Sequence, residues 1–570
     1  MIMKIANFIT NRYNPFVLTD QDQVINFATG KHLPESKVDF NLKCIAEGEK
    51  EYNNFRDQVF KQKSKQLLHP LSKKKFMKGK TDIRSVDVAK ETSTAQRIIE
   101  IGRERGYSID SLLTYELTST SFFLTKGGEL HKTNKSELVH EIEKYLGDTS
   151  DQTPPQTTCT IFDFMLHARI IAAAAASSMK TFGELAEMIL KRLISLSKEA
   201  ERVDVVFDLY QENSIKAGER IRRTKKDPVH MTISSSLTPL PKDMDAFWSS
   251  IHNKNQFQKF FQAHVLQNQE RLSGVSVFLS GMIGEEPLKV QNGHVIKVPE
   301  LSSNVEEADE RLFIHLNHAI NTSNVKSLLI ASSDTDVFVC SIYYYHNAFK
   351  SSGLKNLWIL SGKGHTTRYL PVHDICDVVD NQVIKILPAV HSLSGCDTTS
   401  KVGTKHAALM RAKEYAYLLQ DFGKEDLSNI MLENAEEYLT RVLSKDFKVM
   451  NDLRIFKYHR MKNLDFMKLP PTSSSLKLHI KRAYLQANRW YTLLEDHVDF
   501  HDPILYGYEE QETGLTPQII TKPLPDDFPY PCSCMTCSRP KTCKCRINLL
   551  PCSRFCVCGK SNNCKNDSYE

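Results

Sequence analysis

The feature that most constrains this chain is PCSCMTCSRPKTCKCRINLLPCSRFCVCGKSNNCKND, from Pro531 to Asp567, which holds nine of its 14 cysteines. They are Cys532, Cys534, Cys537, Cys543, Cys545, Cys552, Cys556, Cys558 and Cys564, spaced C-x-C-x2-C-x5-C-x-C-x6-C-x3-C-x-C-x5-C. Nine is odd, so disulfides alone strand one thiol. The first residues, MIMKIANFITNRYNPF, do not read as a secretory signal, so the cytosol or nucleus is expected. Thiols stay reduced there, and a dense cysteine cluster reads as a metal site first. Three tetrahedral zinc ions need twelve ligand positions, which nine thiolates fill when three of them bridge. The segment is poor in aliphatic residues, so bound metal has to supply folding energy that a core would otherwise give. Arg539, Lys541, Lys544, Arg546, Arg554, Lys560 and Lys565 offset the charge of such a cluster and leave a basic outer face.

The rest of the chain has room for more. At 570 residues it is several times the usual ~100–200 residues of a domain, so two to four domains are expected. With 41% apolar and 25% charged residues, it has the composition of a soluble globular protein. The most apolar run, FDFMLHARIIAAAAASSM, is interrupted by Asp163, His167 and Arg169, so no membrane partner is expected. The net charge of +6 does not by itself argue for nucleic acid. Two local basic clusters, Ser72 to Lys80 and Arg222 to Lys226, read as solvated surface, import signals or phosphate contacts.

Between these features, β-rich runs alternate with helical ones, the pattern of a parallel sheet covered by helices, and ligands then belong at the carboxyl ends of the strands. Acids stand at those places. CTIFDF carries Asp163 and RVDVVFDLY carries Asp208; SLLIASSDTDVF delivers Asp334 and Asp336; NVEEADERLF opens a helix with Glu307 and Asp309; and LPAVHSLSGCD ends on Asp397. A lone aspartate after a strand is ordinarily a turn or cap residue. Seven acids gathered on one edge repel each other unless divalent cations sit among them, and hard oxygen ligands suit Mg²⁺ or Mn²⁺.

Two resemblances sharpen this reading. The cysteine spacing, with its three C-x-C pairs and the ending Cys564-Lys565-Asn566, resembles the tesmin-type CXC domain, a zinc module that binds DNA. Where family members carry a tyrosine that enters the minor groove, this chain has Thr542. The acids, with EAD at Glu307 to Asp309, DTD at Asp334 to Asp336 and LSGCD ending at Asp397, resemble the flap-endonuclease branch of the PIN-like 5′ nucleases. That resemblance implies a PIN-like parallel sheet flanked by helices, with two-metal hydrolysis of a phosphodiester. It also implies that Lys216 and Arg223, seven residues apart and hence within about 20° of one helical face, steer the scissile phosphate. Of the family's duplex-clamping turn, TTSKVGTKHAAL keeps Gly403 and Lys405. The whole arrangement resembles animal transposon-like or domesticated proteins that join such a core to a CXC module, which implies a nuclear location.

The expected organisation is a helical region at 1–150, a nuclease core with a helical extension at 151–500, a linker at 501–530 and the zinc module at 531–570. No chemistry is legible in 1–150. Two histidines, His365 and His391, read as structural, and Cys340 and Cys396 as small buried residues. Arg482 and Arg489, on a late helix, read either as DNA contacts or, the preferred reading, as closing the nuclease core. The expected function is a Mg²⁺- or Mn²⁺-dependent nuclease acting on DNA, with about three zinc ions in its C-terminal module. The alternative is a DNA- or chromatin-binding protein that keeps the fold as an inactive scaffold.

Overall fold

The computed structural model describes residues 46, 48–50 and, from 83 to 566, all but a set of short segments, the longest being 211–229. Lys216, Arg223, His365, Arg539, both basic clusters and the side chain of Lys560 lie outside the described residues.

Among the described residues the main sheet has eight strands: β1 (Cys159–Asp163), β2 (Arg202–Val206), β3 (Ser276–Leu279), β4 (Leu288–Gln291), β5 (His294–Lys297), β6 (Ser327–Ala331), β7 (Asn356–Ser361) and β8 (Arg368–Pro371). Their spatial order is β5-β4-β3-β2-β1-β6-β7-β8. The inner pairings β3-β2, β2-β1, β1-β6 and β6-β7 are parallel, and the outer ones are antiparallel. This is the expected α/β architecture, a mostly parallel sheet flanked by helices.

Every residue of β1 (CTIFD) and β2 (RVDVV) is buried, as parallel strands covered on both faces require. Alternation divides their side chains between two cores. Cys159 and Ile161 join Leu328, Ile330, Leu357 and Ile359 on one face, beneath the helices Ala308–Ser323, Thr335–Tyr344, Asn381–Ser394 and Ser473–Tyr491. Phe162 joins Val203, Val205, Leu329 and Ala331 on the other, beneath Phe164–Ala174, Phe182–Leu196 and Ile251–Gln267.

The polar residues of β2 are paired within this interior. Arg202 spans Asp204 with Nε to Oδ2 at 2.7 Å and Nη2 to Oδ1 at 2.8 Å. It also lies over the Phe278 ring at 3.8 Å, and His315 Nδ1 sits 2.7 Å from Asp204 Oδ1. Burial opposes the Asp204 charge, but Arg202 and His315 outweigh it and keep the carboxyl below its usual pKa.

Parts of the N-terminal region pack onto this body. Phe123, Leu138, Val139 and Ile142 belong to the core of the first face. In the stretch expected as a linker, β9 (Tyr508–Gln511) and β10 (Gly514–Pro517) form an antiparallel hairpin. Arg482, buried on the last long helix, donates to the Gly507 carbonyl at 3.0 Å before that hairpin, and Arg489 pairs with Glu310 at 2.8 Å. Both arginines are thus spent inside the fold. The helix Ile83–Glu104 meets the cysteine-rich end: Arg554 pairs with Glu100 at 3.0 Å and Glu104 at 2.8 Å, and Arg105 Nη2 donates to Cys545 Sγ at 3.2 Å.

Candidate metal centres

The chain runs outward from β1 through β2 and β3 on one side and returns to β6 and β7 on the other, so the crossover point lies between β1 and β6. Crevices at such points, past the strands' carboxyl ends, are where open α/β sheets bind ligands. Asp163 is the last residue of β1, and β6 ends at Ala331, three residues before Asp334.

Local structure positions the next two acids. Asp334 is the N-cap of the helix Thr335–Tyr344, and its Oδ1 accepts from the Asp336 backbone N–H at 2.8 Å. Capping satisfies an orphan amide, and the helix dipole favours both carboxylates in its first turn. Asp397 follows the helix Asn381–Ser394 across Gly395, whose φ of 115° and close approach to Ser400 and Lys401 (3.0 Å from an added Cβ) suit glycine alone. Thr399 secures that loop, donating to the Ser392 carbonyl at 2.6 Å and accepting from the Cys396 N–H at 3.0 Å. Oxygens of Asp334, Asp336 and Asp397 lie within 4.8 Å of one another, close enough to share one cation.

A cation from the N-terminal region sits among them. Lys135 Nζ lies 2.9 and 3.2 Å from the two oxygens of Asp334, 3.2 Å from Asp336 Oδ1 and 3.0 Å from Asp397 Oδ2. Burial works against its charge, but the three carboxylates prevail and raise its pKa well above the usual lysine value. No motif or spacing in the sequence marks Lys135.

Behind the triad runs a buried relay. His391 Nε2 is 2.8 Å from Asp336 Oδ1, its Nδ1 is 3.2 Å from Lys405 Nζ, and its ring stacks on Trp490 with centroids 5.2 Å apart. Burial and the neighbouring Lys405 push the His391 pKa down to about 4, so the ring is neutral. Lys405 has only protons to offer, so Nδ1 accepts and Nε2–H donates to Asp336. Lys405 is buried too, its pKa lowered by desolvation to about 8, and it also donates to Ser394 Oγ at 2.8 Å and to the Gly395 carbonyl. His391 is structural, as its sequence context suggests, and what it holds is an acid of the site.

The other four acids lie outside this triad. Asp163 Oδ1 accepts from the Leu166 N–H at 3.0 Å; burial, then Asp208, then Asp334 raise its pKa to about 7. Asp208 Oδ1 accepts from the Ala308 N–H at 2.9 Å, and its Oδ2 accepts from Tyr210 at 2.5 Å, which ties the end of β2 to the start of the Ala308–Ser323 helix. Glu307, nearly fully buried, is the N-cap of that helix, and Asp309 is in its first turn. Within the same first turn, Arg311 donates to the Phe207 and Gly281 carbonyls and fixes the ends of β2 and β3 against the helix. Asp163 thus feels the charges of both Asp208 and Asp334, while Glu307 and Asp309 stand at a neighbouring helix start.

The C-terminal cysteines form a second cluster, with Cys532, Cys537, Cys543, Cys545, Cys556 and Cys558 buried against one another. Their thiols fall into three overlapping groups of four, each within 4.8 Å: Cys532, Cys537, Cys543 and Cys552; Cys532, Cys545, Cys552 and Cys556; and Cys537, Cys552, Cys558 and Cys564. A tetrahedron with Zn–S bonds of about 2.3 Å has edges of about 3.8 Å. Separations such as Cys532 to Cys552 at 3.8 Å and Cys537 to Cys552 at 3.5 Å fit it. Cys532, Cys537 and Cys552 are the residues shared between groups. Cys534 packs against the cluster but belongs to none of the groups.

The chain therefore has a soft, thiolate site compatible with zinc and a hard, carboxylate site suited to Mg²⁺ or Mn²⁺. Among the described residues no helix is long and apolar enough to cross a membrane. No protein-family model matches the chain, and no curated protein matches it.

Proposed function

We propose that this chain is a metal-dependent nuclease acting on DNA, built on a PIN-like core and equipped with a zinc-cluster module of the CXC type that contacts DNA in the nucleus. One observation carries the reading: oxygens of Asp334, Asp336 and Asp397 come within 4.8 Å of one another at the crossover point of a mostly parallel sheet. Asp163 and Asp208, the second of which helps to raise the pKa of the first, stand at the ends of the adjacent strands β1 and β2. The inner strand order β3-β2-β1-β6-β7, with acids after β1, β2 and β6, is consistent with the resemblance drawn from the sequence.

In this reading the three carboxylates hold one divalent cation, and Asp163 with Asp208, Glu307 and Asp309 as neighbours serve a second. Such ions lower the pKa of a bound water and stabilise the charge of a leaving oxygen. The chain's own part is to hold the carboxylates still: the Asp334 cap and the His391–Asp336 bond do this for the triad, and the Ala308 N–H does it for Asp208. Lys216 and Arg223 are assigned to the scissile phosphate. In the C-terminal module, Cys532, Cys537 and Cys552 are assigned as the bridging thiolates, and Lys541, Lys544 and Arg546 as backbone contacts.

A second reading, an inactive DNA- or chromatin-binding scaffold, draws on the Lys135 ammonium already lodged among the acids. Metal-dependent cleavage of a panel of single-stranded, flap and duplex substrates separates the two. Cleavage with Mg²⁺ or Mn²⁺ is expected; DNA binding without cleavage on the whole panel would leave the scaffold.

A further inference from the structure

We propose that Lys135 is the built-in counter-cation of the triad, and that a divalent cation binds by taking the place of its ammonium group, which swings out while the backbone stays. This rests on the reading of Asp334, Asp336 and Asp397 as a cation site. Its support is the geometry of Lys135 itself. The Nζ makes contacts of 2.9 to 3.2 Å with oxygens from all three acids, the range of charge-assisted hydrogen bonds, so each of its three protons has a carboxylate. A metal ion ~2.1 Å from the same oxygens would need the same space. The two cations exclude each other by volume and by charge.

The rest of the site is prepared for the exchange. Lys135 precedes the helix Ser136–Glu143, which buries Leu138, Val139 and Ile142 and is pinned by Glu143 to Arg368 at 2.6 and 2.8 Å. On its other side, His131 N–H donates to Ser400 Oγ at 3.2 Å, and Lys401 N–H donates to the His131 carbonyl at 3.3 Å. The chain is held before and after Lys135, and the flexible four-carbon stem is the part free to rotate. The acids do not depend on the lysine for their positions. Asp334 is bonded to the Asp336 amide, Asp336 to His391, and the Asp397 loop to Ser392 through Thr399. Charge is also conserved in kind: the ammonium keeps the triad from repelling itself until a metal takes over that task.

The test uses the zinc-loaded full chain and Mn²⁺ alone, since thiolate sites hold zinc in preference to Mn²⁺. Mn²⁺ affinity is measured by calorimetry for the unmodified protein, for Lys135→Met, which keeps length and loses charge, and for the double variant Asp334→Asn/Asp397→Asn as the site-deleted reference. Lys135→Met is expected to bind Mn²⁺ at least tenfold more tightly than the unmodified protein. Its melting temperature is expected to be lower without Mn²⁺ and to recover more on adding it. Equal affinities in the two, both above the reference, overturn the counter-cation proposal and leave the cation site standing. Binding no better than the reference in both overturns the cation site and the proposal together. A measurement on the unmodified protein covers a variant that fails to fold: acylation of the Lys135 amine, followed by mass spectrometry, is expected to speed up when Mn²⁺ is added. An unchanged or slower rate overturns the displacement.

Discussion

Asp334 Oδ1 accepts the backbone N–H of Asp336 at 2.8 Å, so the first acid of the DTD motif caps the helix that carries the second. In the nuclease reading the motif combines this structural task with a chemical one, and the two tasks respond differently to substitution. Asparagine caps a helix about as well as aspartate, but it is neutral.

Asp334→Asn is accordingly expected to keep the fold, with a melting temperature within a few degrees of the original, and to lose cleavage by roughly 10²-fold or more. Lys216→Ala is expected to slow cleavage with a smaller effect on binding, as for a cation acting mainly on transition-state charge. Single-turnover rates with Mg²⁺ and with Mn²⁺, alongside thermal melts, check both. An Asp334→Asn protein that cuts at the original rate would sink the nuclease reading.

Asp163 gives a pH dependence. Its folded pKa, raised by burial, Asp208 and Asp334 to about 7, lies above the unfolded value of 3.8. Its proton is therefore held more tightly in the folded state, and the stability it contributes is complete below the unfolded pKa and lost as pH rises towards 7. Between pH 5 and 8, without divalent metal, the loss is on the order of 2 kcal/mol, at 1.36 kcal/mol per unit. Asp163→Asn is expected to flatten this slope in urea denaturation, and so is added Mg²⁺. A slope identical in the variant would remove Asp163 as its cause.

Zinc content is expected to be close to three ions per chain. Because Cys552 belongs to all three thiol groups and Cys534 to none, Cys552→Ser should lose more metal than Cys534→Ser. Burial opposes the Cys543 thiolate, yet the Arg546 backbone N–H and nearby thiols bring its pKa to about 7, so proton release on zinc binding should be smaller from this residue than from Cys552, whose thiol burial pushes up. Elemental analysis of the purified full chain and its variants decides; one zinc or none would exclude a trinuclear cluster.

The Arg202–Asp204 pair, essentially solvent-free at 2% and 0% exposure, is expected to behave as a buried salt bridge. Removing one partner, as in Arg202→Met, leaves an uncompensated charge in the central strand and should cost about 3–5 kcal/mol, while Arg202→Met/Asp204→Leu together should recover much of it. A double-mutant cycle by denaturant unfolding measures this, and additive costs would mean the pair is not coupled.

DNA affinity is expected to fall steeply with salt, and removing residues 531–570 should reduce the slope of log affinity against log salt. Arg554 is already paired with Glu100 and Glu104, so Arg554→Ala should change that slope less than Lys544→Ala. A slope unaltered by the truncation would assign the module to protein contacts.

The acids after β1, β2 and β6 were legible because a strand, its apolar run and the residue that follows it are neighbours in the chain. The cysteine cluster was legible for the same reason: its spacing is local. The division of the acids was not. Asp397 reaches Asp334 and Asp336 through the packing of the helix Asn381–Ser394 against Thr335–Tyr344, whereas Glu307 and Asp309 start a separate helix. His391 could be read as a buried histidine, but its bond to Asp336 crosses 55 residues. Lys135 carried no signal at all: it lies in HKTNKSELVH, a polar stretch with several cations, and its carboxylate partners are 199 to 262 residues away.

By itself, then, the sequence determined a mostly parallel sheet with helices on both faces, acids at its carboxyl edge and a cysteine cluster compatible with zinc, because periodicity, capping and ligand spacing act over a few residues. Only the tertiary structure decided which three carboxylates share a cation, that a lysine from the N-terminal region supplies it, that Asp336 is held by His391 and Lys405, and that the helix Ile83–Glu104 meets the cysteine module through Arg554. These depend on contacts between segments that lie from 14 to 454 residues apart in the chain. Their energies come from burial and charge pairing that exist only once the core has closed, and no local pattern records them.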